Sequence, residues 1–328
     1  MGSVRTAHGR RRQRCRLVPA PLEQPVMRAV TISRHGDESV LELTEQPVPA
    51  PADGQLLIQV RAAGVNPVDW KFREGAVGTD RRFPLGMGWD VAGTVVATTT
   101  ADGPAVGDEV YGMLPLPYAG AYQEFAVLSV SAVAAKPVAL SFAQAAAVPL
   151  AALTAWQSLD AAQVTAGQRV LIHGGAGGVG HFAVQLAKAR GAHVTATASP
   201  RNLGFLRRLG VDEPLDRTAH DQPGIEPVDV VIDTVGGRTQ QESWRLLRPG
   251  GALITLPEPI DERYRIPGIT ARRVIVAPDG EALRRIGQLI DSGAVQVEVQ
   301  DALPLEKAAE AQLISRTGQV RGKLVLSL

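Results

Sequence analysis

Apolar residues in this chain fall into short runs with turn residues between them, and the spacing of those runs changes part-way along. RAVTI (28–32), QLLIQVRAAGV (55–65), DVAGTVVATTT (90–100) and GAYQEFAVLS (120–129) predict strands. This first half is expected to be mostly β and to end near residues 135–141. SFAQAAAVPLAALTAWQSL (141–159) then reads as helix, with Pro149 forcing a break.

From residue 169 the rhythm becomes strand, helix, strand. RVLIH (169–173), HVTATAS (193–199), VDVVIDTVGG (228–237), ALITL (252–256) and RRVIVAP (272–278) predict strands. HFAVQLAKAR (181–190), NLGFLRRLG (202–210) and QESWRLLRPGG (241–251) predict the helices between them. Strands that are apolar on both faces and alternate with helices predict an α/β fold with a parallel, doubly wound Rossmann sheet. The tail predicts a helix at 280–293, a strand VQVEVQ (295–300), another helix and a last strand, GKLVLSL (322–328). That last strand is expected to rejoin the first domain.

Between the strand RVLIH and its helix lies GGAGGVG (174–180), five glycines in seven residues. Gly175-x-Gly177-x-x-Gly180 has the form G-x-G-x-x-G, in a βαβ unit of about 30 residues, the context in which that motif holds a dinucleotide. Gly175 is expected to make the tight turn, Gly177 to let a pyrophosphate reach the backbone, and Gly180 to bring helix and strand close. With Ala176, Gly178 and Val179 they form a candidate cofactor cradle, because the helix N-terminus offers free N–H groups and about half a positive charge. NAD sites place an acid about 20 residues on. This strand instead ends in Ser199-Pro200-Arg201-Asn202. Ser199 and Arg201 are candidates for a 2′-phosphate, so NADP(H) is the expected cofactor. Asp233, Thr234 and Val235 end a strand at the carboxyl edge where a dinucleotide lies, and are further candidates.

Composition narrows the function further. The net charge is +1, but six arginines against one glutamate make residues 1–26 +5 and leave the rest at −4. The body therefore has no basic excess, and no nucleic-acid partner is expected. Residues 1–26 read as a disordered arginine-rich extension. No apolar run approaches the roughly 18 residues of a membrane span, so no membrane role is expected. The single cysteine, Cys15, excludes an internal disulfide framework and points to a reducing, cytoplasmic setting. The six histidines form no H-x-x-x-H pair, and His173 is expected to be structural.

The stretches AAGVNPVDWKFREG (62–75), LGMGWDVAGTVV (85–96), GDEVYG (107–112), VLIHGGAGGVG (170–180) and VVIDTVGG (230–237) together resemble the medium-chain dehydrogenase/reductase superfamily. They are most similar to its zinc-free quinone oxidoreductase branch, the ζ-crystallin-like proteins. The resemblance implies a GroES-like, mostly-β catalytic domain from residues 27–149 and 279–328, around a Rossmann NADP-binding domain from 150–278. It also implies a homodimer through the edge strand RRVIVAP. Zinc-dependent members carry a cysteine where this chain has Asn66, the histidine of G-H-E where it has Trp89, and a third ligand near Leu150. Asparagine and tryptophan do not replace those ligands, so no metal is expected.

NADPH without a Lewis acid suits a conjugate acceptor, such as a small apolar enone or a quinone. Hydride adds to one carbon while charge develops on a distant oxygen. The resemblance places Lys71 where related proteins have a tyrosine, and some enone-reducing relatives also have lysine there. Lys71 is the candidate to stabilise that oxygen electrostatically, or to act as a general acid. Asn66 is a candidate for a hydrogen bond to substrate carbonyl or cofactor ribose, or for satisfying the turn before Pro67. Thr154 lies in a segment similar to one that touches the cofactor in the family. Trp89, Tyr118 and Tyr122 are candidates for an apolar substrate wall, Asp69 for a helix cap. Lys323 has a family-like place near the cleft, with a surface role equally open. Two other readings stay open: an enoyl reductase of a polyketide-type intermediate, and a cofactor-binding protein without turnover.

Overall fold

The computed structural model describes residues 24–218 and 226–328. The arginine-rich segment therefore lies, through residue 23, outside the described residues. The first strand begins inside the expected extension, since Val26 already pairs with Pro47.

Eight strands build the first half: β1 (Val26–Ile32), β2 (Leu41–Pro47), β3 (Gln55–Val65), β4 (Leu85–Gly86), β5 (Asp90–Thr98), β6 (Glu109–Met113), β7 (Phe125–Ser129) and β8 (Val133–Ala135). Helix α1 (Pro67–Arg73) follows β3 directly. α2 (Phe142–Ala146) and α3 (Pro149–Ala161) are separated at the expected proline, which opens α3. β1 pairs with β2 and β4 in a small sheet, while β3, β5, β6, β7 and β8 join a larger one.

Next come β9 (Arg169–His173), α4 (Gly178–Ala189), β10 (His193–Ala198), α5 (Leu203–Arg208), β11 (Glu213–Asp216), β12 (Val228–Asp233), α6 (Arg238–Ser243), β13 (Leu247–Thr255) and β14 (Thr270–Arg273). These six strands lie in the order β11-β10-β9-β12-β13-β14, all parallel. Residues along β9 alternate between two cores, because helices cover both faces. Val170 and Ile172 join the core that holds Phe182 and Val184 of α4, while Leu171 packs with Trp244 on the other side. The order reverses between β9 and β12, so the crevice at their carboxyl ends is where a ligand is expected.

The chain closes with α7 (Gly280–Asp291), β15 (Val299–Pro304), α8 (Ala308–Arg316) and β16 (Lys323–Ser327). β16 pairs antiparallel with β3 and parallel with β15, completing the seven-stranded sheet. Several expectations shift. β14 keeps only Arg272 and Arg273 of RRVIVAP, β13 begins at Leu247, inside the helix expected over 241–251, β11 had no apolar run to announce it, and β15 begins at Val299 rather than 295. The backbone of Gln296 is bonded instead to the Gln185 side chain, which accepts from its N–H at 2.7 Å and donates to its C=O at 3.0 Å. A side-chain amide thus takes the place of a neighbouring strand. Among the described residues no helix is long and apolar enough to cross a membrane.

Candidate active site

A cleft of about 2000 Å³ runs between the two large sheets, over the carboxyl ends of β9 and β12. The glycine loop forms its floor. Gly174, not Gly175, takes the left-handed conformation of the tight turn (φ +70°). Gly175 is needed for packing, since a Cβ there would lie 2.8 Å from the Ala196 Cβ on β10. At Gly180 a Cβ would sit 2.1 Å from the Gly174 carbonyl oxygen, so only glycine lets α4 begin where it does. A Cβ on Gly177 would meet only that carbonyl, at 3.4 Å.

Ala176, Gly177, Gly178 and Val179 line the cleft. No side chain caps α4, which starts three residues earlier than its apolar pattern suggested. Uncapped N–H groups at the start of a 12-residue helix, beside open space, fit a dinucleotide diphosphate.

Thr154, Ser199, Thr234 and Val235 also line the cleft. Thr154 donates to the Leu150 carbonyl at 2.6 Å, and Thr234 to that of His173 at 2.7 Å. Besides Gly175 and Gly180, which pack within the loop, two more of the expected cofactor residues do not line the cleft. Asp233 is fully buried, and its Oδ1 accepts from the N–H groups of Val235 and Gly236 to hold the turn. Arg201 does not line the cleft itself but donates at 2.8 Å to the carbonyl of Gln319, which does. Arg217, which follows β11, lines the cleft with Ser199 and Asn202 instead. It was invisible in the sequence because β11 was not recognised.

At the other end Asn66 and Lys71 line the cleft, carried by α1. Asp69 reaches back to accept the Asn66 N–H at 2.7 Å, the helix-capping role expected of it. The Lys71 ammonium stands 5.5 Å from the centre of the Trp70 ring and forms no ion pair among the described residues. Val68, Trp70, Val77, Leu116, Leu150 and Ile275 supply the apolar wall.

The aromatics expected there do not line the cleft. Trp89 is fully buried, edge-on to Phe72 at 5.3 Å. Tyr122 is 1% exposed and donates to Asp69 Oδ2 at 2.5 Å, and Tyr118 lies half-buried against Arg81. None of the three sits in a strand: Trp89 and Tyr122 lie in the loops just before β5 and β7 and join the core of the first half, while Tyr118 stays half-buried in the loop between β6 and β7.

Burial leaves His173 and His181 neutral, each pushed down to about 4. The unfolded chain, with histidines near the ordinary value of about 6.5, takes up protons that the fold refuses. Stability is therefore complete above pH 6.5 and falls as the pH drops toward 4, by about 3 kcal/mol per histidine. Asp69 opposes this: burial pushes it up to about 7, so its contribution to stability declines as the pH rises from about 4 to 7. Asp90 and Asp233, also pushed up by burial, act in the same direction as Asp69. Urea unfolding between pH 4.5 and 6.5 should therefore show a pH dependence more positive in Asp69→Asn than in wild type by about one proton's worth. Equal slopes would contradict a buried Asp69 carboxyl that keeps its proton.

Residues 52–138 match the family described as "alcohol dehydrogenase GroES-like domain", and residues 209–326 match "zinc-binding dehydrogenase". The chain is 34% identical over 315 residues to the 2-methylene-furan-3-one reductase of Solanum lycopersicum, covering 92% of this chain and 79% of the relative. It is equally similar, over the same shares, to the chloroplastic NADPH-dependent alkenal/one oxidoreductase of Arabidopsis thaliana. The quinone oxidoreductase from Coxiella burnetii superposes with a TM-score of 0.87 at 35% identity, over 93% of this chain and all of that one. The chain belongs to the quinone oxidoreductase branch of the medium-chain dehydrogenase/reductase superfamily.

The residues of this oxidoreductase do not fit the zinc ion that one of those family descriptions implies. Asn66 is already bonded to Asp90 and Lys323, Trp89 is sealed in the core and Leu150 offers only an aliphatic side chain. Among the described residues no three His, Cys, Asp or Glu side chains are grouped to hold a metal.

Proposed function

We propose that this oxidoreductase reduces the conjugated C=C bond of small apolar enones, and quinones, with NADPH and without zinc. What carries the reading is one continuous cleft. A glycine-floored diphosphate cradle leads to an apolar chamber holding an unpaired cation, Lys71. Bound there, NADPH would supply hydride to the substrate's β-carbon. Lys71 would face the carbonyl oxygen, where negative charge then collects, and stabilise it. The apolar wall excludes water and orients the substrate over the cofactor. Names carried by the tomato and Arabidopsis relatives support the same acceptor class and cofactor.

Ser199 and Arg217 would hold the 2′-phosphate, by hydrogen bond and by charge. Residues 27–149 with 279–328 form the catalytic domain in this reading, around 150–278, since β16 returns to β3. The protein would work in the cytoplasm as a homodimer. β14 is an unpaired sheet edge with Ile275 65% exposed beside it, and light scattering should return the mass of two chains.

The central test is NADPH and NADH oxidation with a panel of enones and quinones, alongside elemental analysis. Turnover with NADPH and no stoichiometric zinc is expected. Arg217→Ala should raise the NADPH Kd about tenfold or more and leave NADH unchanged. NADPH binding without turnover of any acceptor would favour a non-catalytic binder, and stoichiometric zinc would overturn the mechanism.

A further inference from the structure

Lys323 opens β16 inside an otherwise apolar strand and is only 3% exposed. A buried lysine needs partners, and this one has three acceptors around it. Its ammonium donates to the Val65 carbonyl at 2.9 Å and to Asn66 Oδ1, and lies 3.6 Å from Asp90 Oδ2. Asn66 Nδ2 donates to the same Asp90 oxygen at 2.8 Å. The other Asp90 oxygen accepts the Leu150 N–H at 2.7 Å, at the start of α3. Gly64 makes room for this carboxylate, because a Cβ there would lie 2.6 Å from Asp90 Oδ2. Burial drives the Asp90 carboxyl up and the Lys323 ammonium down, and each is held back by the other's charge.

A carboxamide has two ends of similar shape and opposite hydrogen-bonding sense. Lysine can only donate, and a carboxylate can only accept. Between one of each, Asn66 has a single orientation, with Oδ1 toward Lys323 and Nδ2 toward Asp90. Its carbonyl end is spent on Lys323. One Nδ2 hydrogen is left, on a residue that lines the cleft next to the helix carrying Lys71.

We propose that Lys323, tied to Asp90, is a positioning residue that locks the Asn66 carboxamide so that the cleft receives an N–H donor and not a carbonyl. That donor serves the substrate's carbonyl oxygen alongside Lys71, so the inference rests on the enone-reducing reading above. It also explains why a lysine is kept inside the protein: an apolar residue in its place removes the charge that keeps buried Asp90 ionised, and a protonated carboxyl can donate, which lets the amide turn and present an acceptor to an acceptor.

A double-mutant cycle tests this, with Lys323→Met, Asn66→Ala and the pair. The readouts are kcat and KM for an enone, the NADPH Kd from nucleotide fluorescence, and the melting temperature. Lys323→Met is expected to lower kcat about tenfold, the loss of one oriented hydrogen bond, and to keep the NADPH Kd within about threefold. In the Asn66→Ala background it should cost no further kcat, whatever it does to melting. Losses in kcat that multiply, or a loss confined to the NADPH Kd, would overturn the positioning role. If Lys323→Met does not fold, Asp90→Asn takes its place in the cycle. An asparagine there can present either end, and without the Asp90 charge the buried Lys323 amine loses what chiefly keeps it protonated, so neither neighbour dictates how Asn66 lies and the same non-additivity is expected. Absence of turnover in the wild-type protein would overturn the enone-reducing reading and this inference with it. Turnover with multiplying losses would overturn the inference alone.

Discussion

Lys71→Ala is expected to cut enone turnover by about 10²- to 10³-fold, the usual cost of removing a donor aimed at a developing oxyanion. The NADPH Kd should stay within about threefold, because Lys71 sits at the chamber end of the cleft, on α1, while the glycine loop and Ser199 lie along its nucleotide floor. The effect is large because the charge is both presented and unspent. Trp70 stands beside the ammonium, and no carboxylate pairs with it among the described residues. Lys71→Arg separates the two roles open to it. A guanidinium keeps the charge but cannot give up a proton in a protein. Recovery of more than about a tenth of kcat in the arginine variant would point to electrostatic stabilisation, and recovery of none to proton donation. An alanine variant with kcat within threefold of wild type would remove Lys71 from the mechanism.

The second large effect is at Gly180. Gly180→Ala forces a methyl group to within 2.1 Å of the Gly174 carbonyl oxygen and 2.8 Å of the Gly175 Cα, both backbone atoms that cannot swing aside. Helix α4 must move off the strand. Overpacking of this kind costs about 1–3 kcal/mol of stability. The shift also carries the first amides of α4 away from the diphosphate. Each bond to a charged oxygen is worth about 1.5–3 kcal/mol, so losing two weakens NADPH by about 100-fold or more. Gly177→Ala is the contrasting variant. Its methyl group meets only the Gly174 oxygen, at 3.4 Å, and otherwise enters open space. Melting should hardly change, while NADPH binding weakens because the cradle is partly filled. Titration of nucleotide fluorescence and thermal melting on both variants would check this. Wild-type affinity in Gly180→Ala would mean that the glycine loop does not hold the diphosphate.

Much of this was legible along the chain. RVLIH, HVTATA and VDVVID announced parallel strands because helices on both faces demand apolar side chains on both faces. GGAGGVG announced a close backbone approach because only glycine tolerates a carbonyl 2.1 Å from where its Cβ would be. Asn66, Trp89 and Leu150 stand where the resemblance places zinc ligands, and their side chains do not replace those ligands. These features depend on a residue's own backbone and its near neighbours, which a linear reading contains.

Other features depend on which distant segments meet. Trp89 and Tyr122 looked like a substrate wall, but the loops that carry them pack together, the Tyr122 N–H on the Met87 carbonyl, and bury both rings in the core. Arg201 and Arg217 both follow strands of the nucleotide sheet, but the first is tied to Gln319 at the cleft's edge while the second lines the cleft directly. Lys323 and Asn66 stand 257 residues apart, and it is the antiparallel seating of β16 on β3 that brings them into contact. Local patterning therefore settled the fold and the cofactor loop, because strand, helix and glycine geometry are short-range. The polar lock on Asn66 and the true lining of the cleft were left to long-range strand pairing, which decides what a buried charge finds beside it.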